Sequence, residues 1–109
     1  MKRCFVVHPA DNVATLLDDA QAEQILVIQA SGGENTLSLH QPINLGHKTA
    51  LNAILPNTPI LKFGIPIGLA TQPILPGEWV HLHNCASFVD SRSATLDIQT
   101  GRPGDTPYE

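Results

Sequence analysis

Two stretches decide how this chain is read. The first is Ile54-Leu55-Pro56-Asn57-Thr58-Pro59-Ile60-Leu61-Lys62-Phe63-Gly64. The second is Ile74-Leu75-Pro76-Gly77-Glu78-Trp79-Val80-His81-Leu82-His83-Asn84. Each runs from Ile-Leu-Pro through a turn into a segment of strand-forming residues. A turn feeding a strand is therefore used twice. Two copies indicate a repeated hairpin unit and are too few for a solenoid. Residues 58–64 and 77–84 are the clearest predicted strands.

Upstream, Arg3-Cys4-Phe5-Val6-Val7-His8 reads as a first strand, stopped by Pro9. Asp11 has the character of a helix N-cap, with Val13, Leu16 and Leu17 at helical spacing, which predicts a short helix over residues 11–20. Residues 25–30 form a second strand. Ser31-Gly32-Gly33-Glu34-Asn35 is a hairpin signal, and residues 36–40 alternate and pair back. From residue 43 the chain is a series of short apolar pieces cut by Gly and Pro. After Asn84 the pattern fades, with little periodicity beyond Ala94–Ile98. The expectation is a mainly β domain over residues 1–85 with one short helix. Residues 86–109 would be a flexible C-terminal extension, extended or disordered alone, or an arm that orders on a partner.

Composition bounds the function. The 109 residues suit one domain, and the 8 glycines and 9 prolines favour short strands over long helices. The formal charge is −4 and the pI near 5.6. The only adjacent cations are Lys2 and Arg3, and without a basic stripe nucleic acid is not an expected partner. No apolar run reaches the length that spans a bilayer, and Cys4-Phe5-Val6-Val7 is too short for a secretory core. A cytoplasmic protein with neither nucleic acid nor membrane as partner is expected. Cys4 and Cys85 lack C-x-x-C spacing and are expected to be free buried thiols.

The five histidines are the main polar signal. His81 and His83 stand two apart on a predicted strand, so their imidazoles would share a face while Leu82 points to the core. Such a pair suits a metal or an anion; two solvated histidines fit the spacing equally. His47-Lys48 places a cation beside an imidazole, an arrangement for a carboxylate, or else a surface lysine beside a turn histidine. Lys62 interrupts an apolar strand, where a charge wants a partner, unless it lies on an exposed face. His8, Asp11 and Asn12 flank the end of the first strand, where Asp11 also serves as a plain helix cap. His40 has no company and reads as structural, and Trp79 as core or interface. No Walker loop, dinucleotide glycine pattern or Ser-His-Asp order is present.

Four motifs then occur in order: His8-Pro9-Ala10-Asp11-Asn12-Val13-Ala14, Gly46-His47-Lys48-Thr49-Ala50-Leu51, Lys62-Phe63-Gly64-Ile65-Pro66-Ile67-Gly68-Leu69-Ala70-Thr71 and Gly77-Glu78-Trp79-Val80-His81-Leu82-His83-Asn84. Together they resemble the N-terminal domain of altronate and galactarate dehydratases, which also stands alone as the small subunit of sulfolactate sulfo-lyase. The resemblance covers about residues 4–84 and implies the SAF group with a β-clip fold. Two departures stand out: Phe63 where the family usually carries Tyr, and Leu69 where Arg is common.

The resemblance implies a β-elimination on a sugar acid or related hydroxy acid. A base removes the proton next to the carboxylate, water or sulfite leaves from the β-carbon, and the enol becomes a 2-keto acid. Such chemistry needs a base near neutrality and cations or a metal to stabilise the enolate. By this resemblance His47, Lys48 and Lys62 would be catalytic. His8, Asp11, Asn12 and Asn84 would touch substrate. His81 and His83 would hold a divalent metal, iron or similar. A large dehydratase-like catalytic subunit is the expected partner, the Pro- and Gly-rich ending reading as a natural terminus. A homo-oligomer is left open. The alternative is a non-catalytic SAF module that binds carbohydrate or acid, or a purely structural oligomerisation domain.

Overall fold

A computed structural model describes residues 1–88. The proposed 86–109 extension therefore lies, from residue 89 onward, outside the described residues. Among the described residues the strands are β1 (Arg3–Val6), β2 (Val13–Leu16), β3 (Gln24–Gln29), β4 (Glu34–Ser38), β5 (Lys48–Ala50), β6 (Pro59–Lys62), β7 (Ile65–Ala70), β8 (Trp79–Val80) and β9 (Cys85–Ser87). They form a six-stranded sheet, β4-β3-β1-β2-β5-β8, and a three-stranded sheet, β6-β7-β9. The fold is mainly β, as the density of Gly and Pro requires. No helix among the described residues is long and apolar enough to cross a membrane.

The helix expected over residues 11–20 is not there. Its centre is β2, paired antiparallel to β1 on one side and to β5 on the other. Val13, Ala14 and Leu16 are all buried, because an interior strand can be covered on both faces. Apolar residues at 13, 16 and 17 imitate helical spacing, yet Leu17 is turned outward. Asp11 caps no helix; its carboxylate is used elsewhere, as described below.

The strand expected over residues 77–84 is also shorter. Only Trp79–Val80 pairs, with Lys48 and Thr49 of β5. Residues 81–84 form a turn closed by Asn84 N–H donating to His81 O at 3.0 Å. Leu82, placed in the core by the strand reading, is 60% exposed.

The repeated Ile-Leu-Pro unit has a third copy. The turns Asn44–His47, Leu55–Thr58 and Leu75–Glu78 each close by the last N–H donating to the first carbonyl, at 3.0, 3.1 and 3.1 Å. Their third residues, Gly46, Asn57 and Gly77, have positive φ of 88°, 68° and 88°. That is the requirement of a type II turn, which glycine and asparagine meet most cheaply. Each of these three residues also donates its N–H to a strand carbonyl, of Leu16, Ala70 and Ala50 respectively. Ile43, Ile54 and Ile74 precede the turns and are buried, Ile54 and Ile74 bridging one another.

Two apolar clusters make the core. One gathers Cys4, Val6, Leu16, Ile25, Val27, Leu39 and Ile43 under the large sheet. The other gathers Val13, Ala50, Ile54, Ile60, Ile74 and Val80 where the two sheets meet.

Candidate functional site

Antiparallel pairing of β5 with β8 sets Thr49 opposite Trp79 and Lys48 opposite Val80. The residues just outside these strands, His47 and His81, are thereby brought together from positions far apart in sequence. Their ring centroids are 5.6 Å apart, edge to face. Trp79 is the centre of the group. His81 stacks on it at 5.0 Å with an interplanar angle of 8°, His47 meets it edge-on at 5.5 Å, and His83 lies tilted at 5.1 Å. Lys48, a neighbour of His47 in the chain, is buried. The two motifs singled out in sequence thus converge in one nest.

The nest is fixed from below by Asn84, itself buried. Its Oδ1 accepts the His81 N–H at 3.0 Å, and its Nδ2 donates to the Trp79 carbonyl at 2.8 Å. Both ends of the amide are spent on holding the turn that carries His81 and His83. The Trp79 backbone N–H donates to Gln41 Oε1 at 3.1 Å. The indole Nε1, by contrast, is buried with no hydrogen-bond partner among the described residues. A buried, unpaired donor is uncommon and costs stability. Sequence reasoning assigned Trp79 to core or interface. The Trp-x-His spacing, which on an extended chain puts both side chains on one side, was the available signal, although β8 itself ends at Val80.

His8, Asp11, Asn12 and Lys62 form a second group. Asp11 is buried, and its carboxylate accepts three backbone N–H groups: His8 at 3.1 Å, Phe63 at 3.0 Å and Gly64 at 2.7 Å. Phe63 and Gly64 have φ of 60° and 74°, forming the two-residue turn between β6 and β7. Positive φ at both positions marks a type I′ hairpin. For a bulky aromatic this conformation costs about 1–2 kcal/mol, which the Asp11 hydrogen bonds offset. Asn12 stitches the same hairpin, accepting from Leu61 N at 2.8 Å and donating to the Pro59 carbonyl at 3.0 Å. The Lys62 ammonium lies 5.1 Å from the Phe63 ring centroid, a cation–π contact. His8 accepts the Ala10 N–H at Nδ1, and its ring lies against Gly64.

The two groups lie at opposite ends of β5. Asn12 O accepts the Leu51 N–H at one end, and Leu16 N donates to the His47 carbonyl at the other. The four residue steps from His47 to Leu51 span about 13 Å of extended chain. The structure therefore joins His47, His81 and His83 around Trp79; Lys48, paired with Val80, falls on the opposite face of β5, and Lys62, His8, Asp11 and Asn12 lie apart.

No three His, Cys, Asp or Glu side chains among the described residues are grouped to hold a metal ion. The imidazoles of the nest meet Trp79 faces and edges rather than one shared point. These side chains alone do not fit a complete metal centre.

The family follows from comparison with known proteins. Residues 2–88 match the model of the altronate/galactarate dehydratase SAF domain, and the chain belongs to that family. Among individual relatives, it is 37% identical over 112 residues to altronate dehydratase of Bacillus subtilis (strain 168), covering 99% of this chain and 20% of that protein. Altronate dehydratase of Escherichia coli (strain K12) is 38% identical over 79 residues, which are 72% of this chain and 15% of that enzyme. The (2R)-sulfolactate sulfo-lyase subunit alpha of Chromohalobacter salexigens is 32% identical over 84 residues, 73% of this chain and 89% of that subunit. The chain thus spans a fifth or less of the two altronate dehydratases and nearly the whole of the sulfo-lyase subunit.

Proposed function

We propose that this chain is the small subunit of a lyase that performs β-elimination on a sugar acid or related hydroxy acid, acting with a large dehydratase-like catalytic partner. The observation that carries the reading is the convergence of His47, His81 and His83 on Trp79. A substrate carboxylate would be gripped by the nest imidazoles. An imidazole of His47 would take or return the proton next to that carboxylate. N–H groups of the neighbouring imidazoles would stabilise the enolate as water or sulfite departs from the β-carbon. Asn84 acts as a positioning residue for the nest, and Asp11 and Asn12 hold the β6–β7 hairpin. Lys62 and His8 sit on that hairpin's side of β5, where a larger partner could bring them to the substrate's far end. His81 and His83 are available as two ligands of a divalent metal whose remaining ligands come from the partner, and no step above depends on it.

The test begins with co-purification from the native host and identification of the partner by mass. In the reconstituted complex, His47→Ala or His81→Ala is expected to lower turnover at least 100-fold. Undiminished turnover in both variants removes the nest from the chemistry.

A further inference from the structure

Away from the nest, the inner face of the large sheet changes character along β3 and β4. Side chains at every second position share a face. In β3 these are Ile25, Val27 and Gln29, and in β4 Leu37 and Asn35, with Ile25 opposite Leu37 and Val27 opposite Asn35. Val6 of β1 stands opposite Gln29. The face therefore runs from aliphatic to amide towards the β3–β4 turn. Beyond the point where residues 51–52 cover it, the sheet leaves a groove of about 230 Å³. Val6, Val27, Leu37 and Leu51 supply apolar surface, and Gln29, Asn35 and Asn52 supply polar groups.

Three features restrict what this groove can hold. First, the side-chain amides of Gln29, Asn35 and Asn52 have no hydrogen-bond partner among the described residues, whereas Asn12 and Asn84 are consumed by backbone. Each free amide offers two donors and an acceptor, which match the paired donor and acceptor character of hydroxyl groups. Second, no cation among the described residues lines the groove. Its one charge is Asp11, whose oxygens are already bound by three N–H groups, so a carboxylate or phosphate finds no counter-charge. Third, the volume suits one small molecule and excludes an oligomer.

We propose that this groove is a binding site for a neutral polyhydroxylated molecule the size of one hexitol, its C–H groups on the aliphatic surface and its hydroxyls on Gln29, Asn35 and Asn52. The site lies apart from the nest, and the inference does not rest on the lyase reading.

The experiment uses the whole chain, labelled with nitrogen-15 and titrated with D-glucitol, with gluconate as a charged chain of equal length. Glucitol is expected to shift the side-chain amide signals of Gln29, Asn35 and Asn52 saturably in the millimolar range. Asn35→Leu and, independently, Gln29→Leu are each expected to weaken this at least tenfold. Asn35 is exposed, so its variant should keep the fold, as the remaining spectrum will show. Absence of saturable shifts, unchanged affinity in both variants, or tighter binding of gluconate at these amides would overturn the proposal. No partner or turnover enters the measurement, so its failure leaves the lyase reading standing, and the converse.

Discussion

The Gly64 N–H donates to Asp11 Oδ1 at 2.7 Å across 53 residues of sequence. With the Phe63 N–H on Oδ2, this one carboxylate fixes both left-handed residues of the β6–β7 turn to the loop after β1. Asp11→Ala removes three charge-assisted acceptor contacts at a buried position. It is expected to destabilise the domain by about 3 kcal/mol, read as a lower urea midpoint at unchanged slope. A loss under 1 kcal/mol would show that the turn holds itself.

Gly46 and Gly77 share a φ of 88° but not their surroundings. At Gly46 an added Cβ meets open space, whereas at Gly77 it would run into the Ser38 carbonyl oxygen. Gly46→Ala is expected to cost about 1 kcal/mol, the strain of the left-handed backbone alone. Gly77→Ala should cost well beyond that, in the exceptional range above about 4 kcal/mol, or prevent folding. Equal midpoints in denaturant would refute the contrast.

Cys4 is fully buried in the first core cluster, and burial pushes its thiol up to about 12 from an ordinary 9.0. The folded state therefore holds this proton more tightly than the unfolded chain does. Its contribution is complete below pH 9 and is lost as pH rises towards 12, by about 1.4 kcal/mol per unit. Unfolding free energies measured from pH 7 to 11 should stay level to about pH 9 and then fall along this slope, and Cys4→Ala should flatten the fall. In the native state at pH 8 a thiol reagent should leave Cys4 unmodified.

Trp79 is the chain's one tryptophan, so its fluorescence reports on the nest alone. If the nest grips carboxylates, lactate should change that emission saturably, and His47→Ala or His81→Ala should abolish the change. An emission indifferent to lactate in the native chain would count against carboxylate binding at this site. Asn84→Ala, which frees the 81–84 turn, should alter the emission without any ligand and cost about 2 kcal/mol.

Legibility in the sequence varied with the range of the interaction that decides each feature. Gly and Pro spacing announced short strands and tight turns, because φ preferences are local. The Ile-Leu-Pro turn was visible twice, while its third copy at Ile43–Gly46 was hidden: it lacks proline and carries its Leu one place later. The supposed helix over residues 11–20 failed because apolar positions 13, 16 and 17 suit a doubly buried strand as well as a helix face. Only the pairing partners, β1 and β5, settle which. His81 and His83 were expected to share a strand face. Yet β8 ends at Val80, since the Asn84 amide captures the next N–H and turns the chain.

By itself, then, the sequence determined that this is a β-rich domain cut by left-handed turns, and its ordered motifs determined the family. The tertiary structure alone decided that His47 meets His81 around Trp79, and that Lys62 and Asp11 lie at the other end of β5. Local preferences are properties of neighbouring residues. Which side chains share a site depends on strand register between segments some thirty residues apart, and that is set by the packing of the whole sheet.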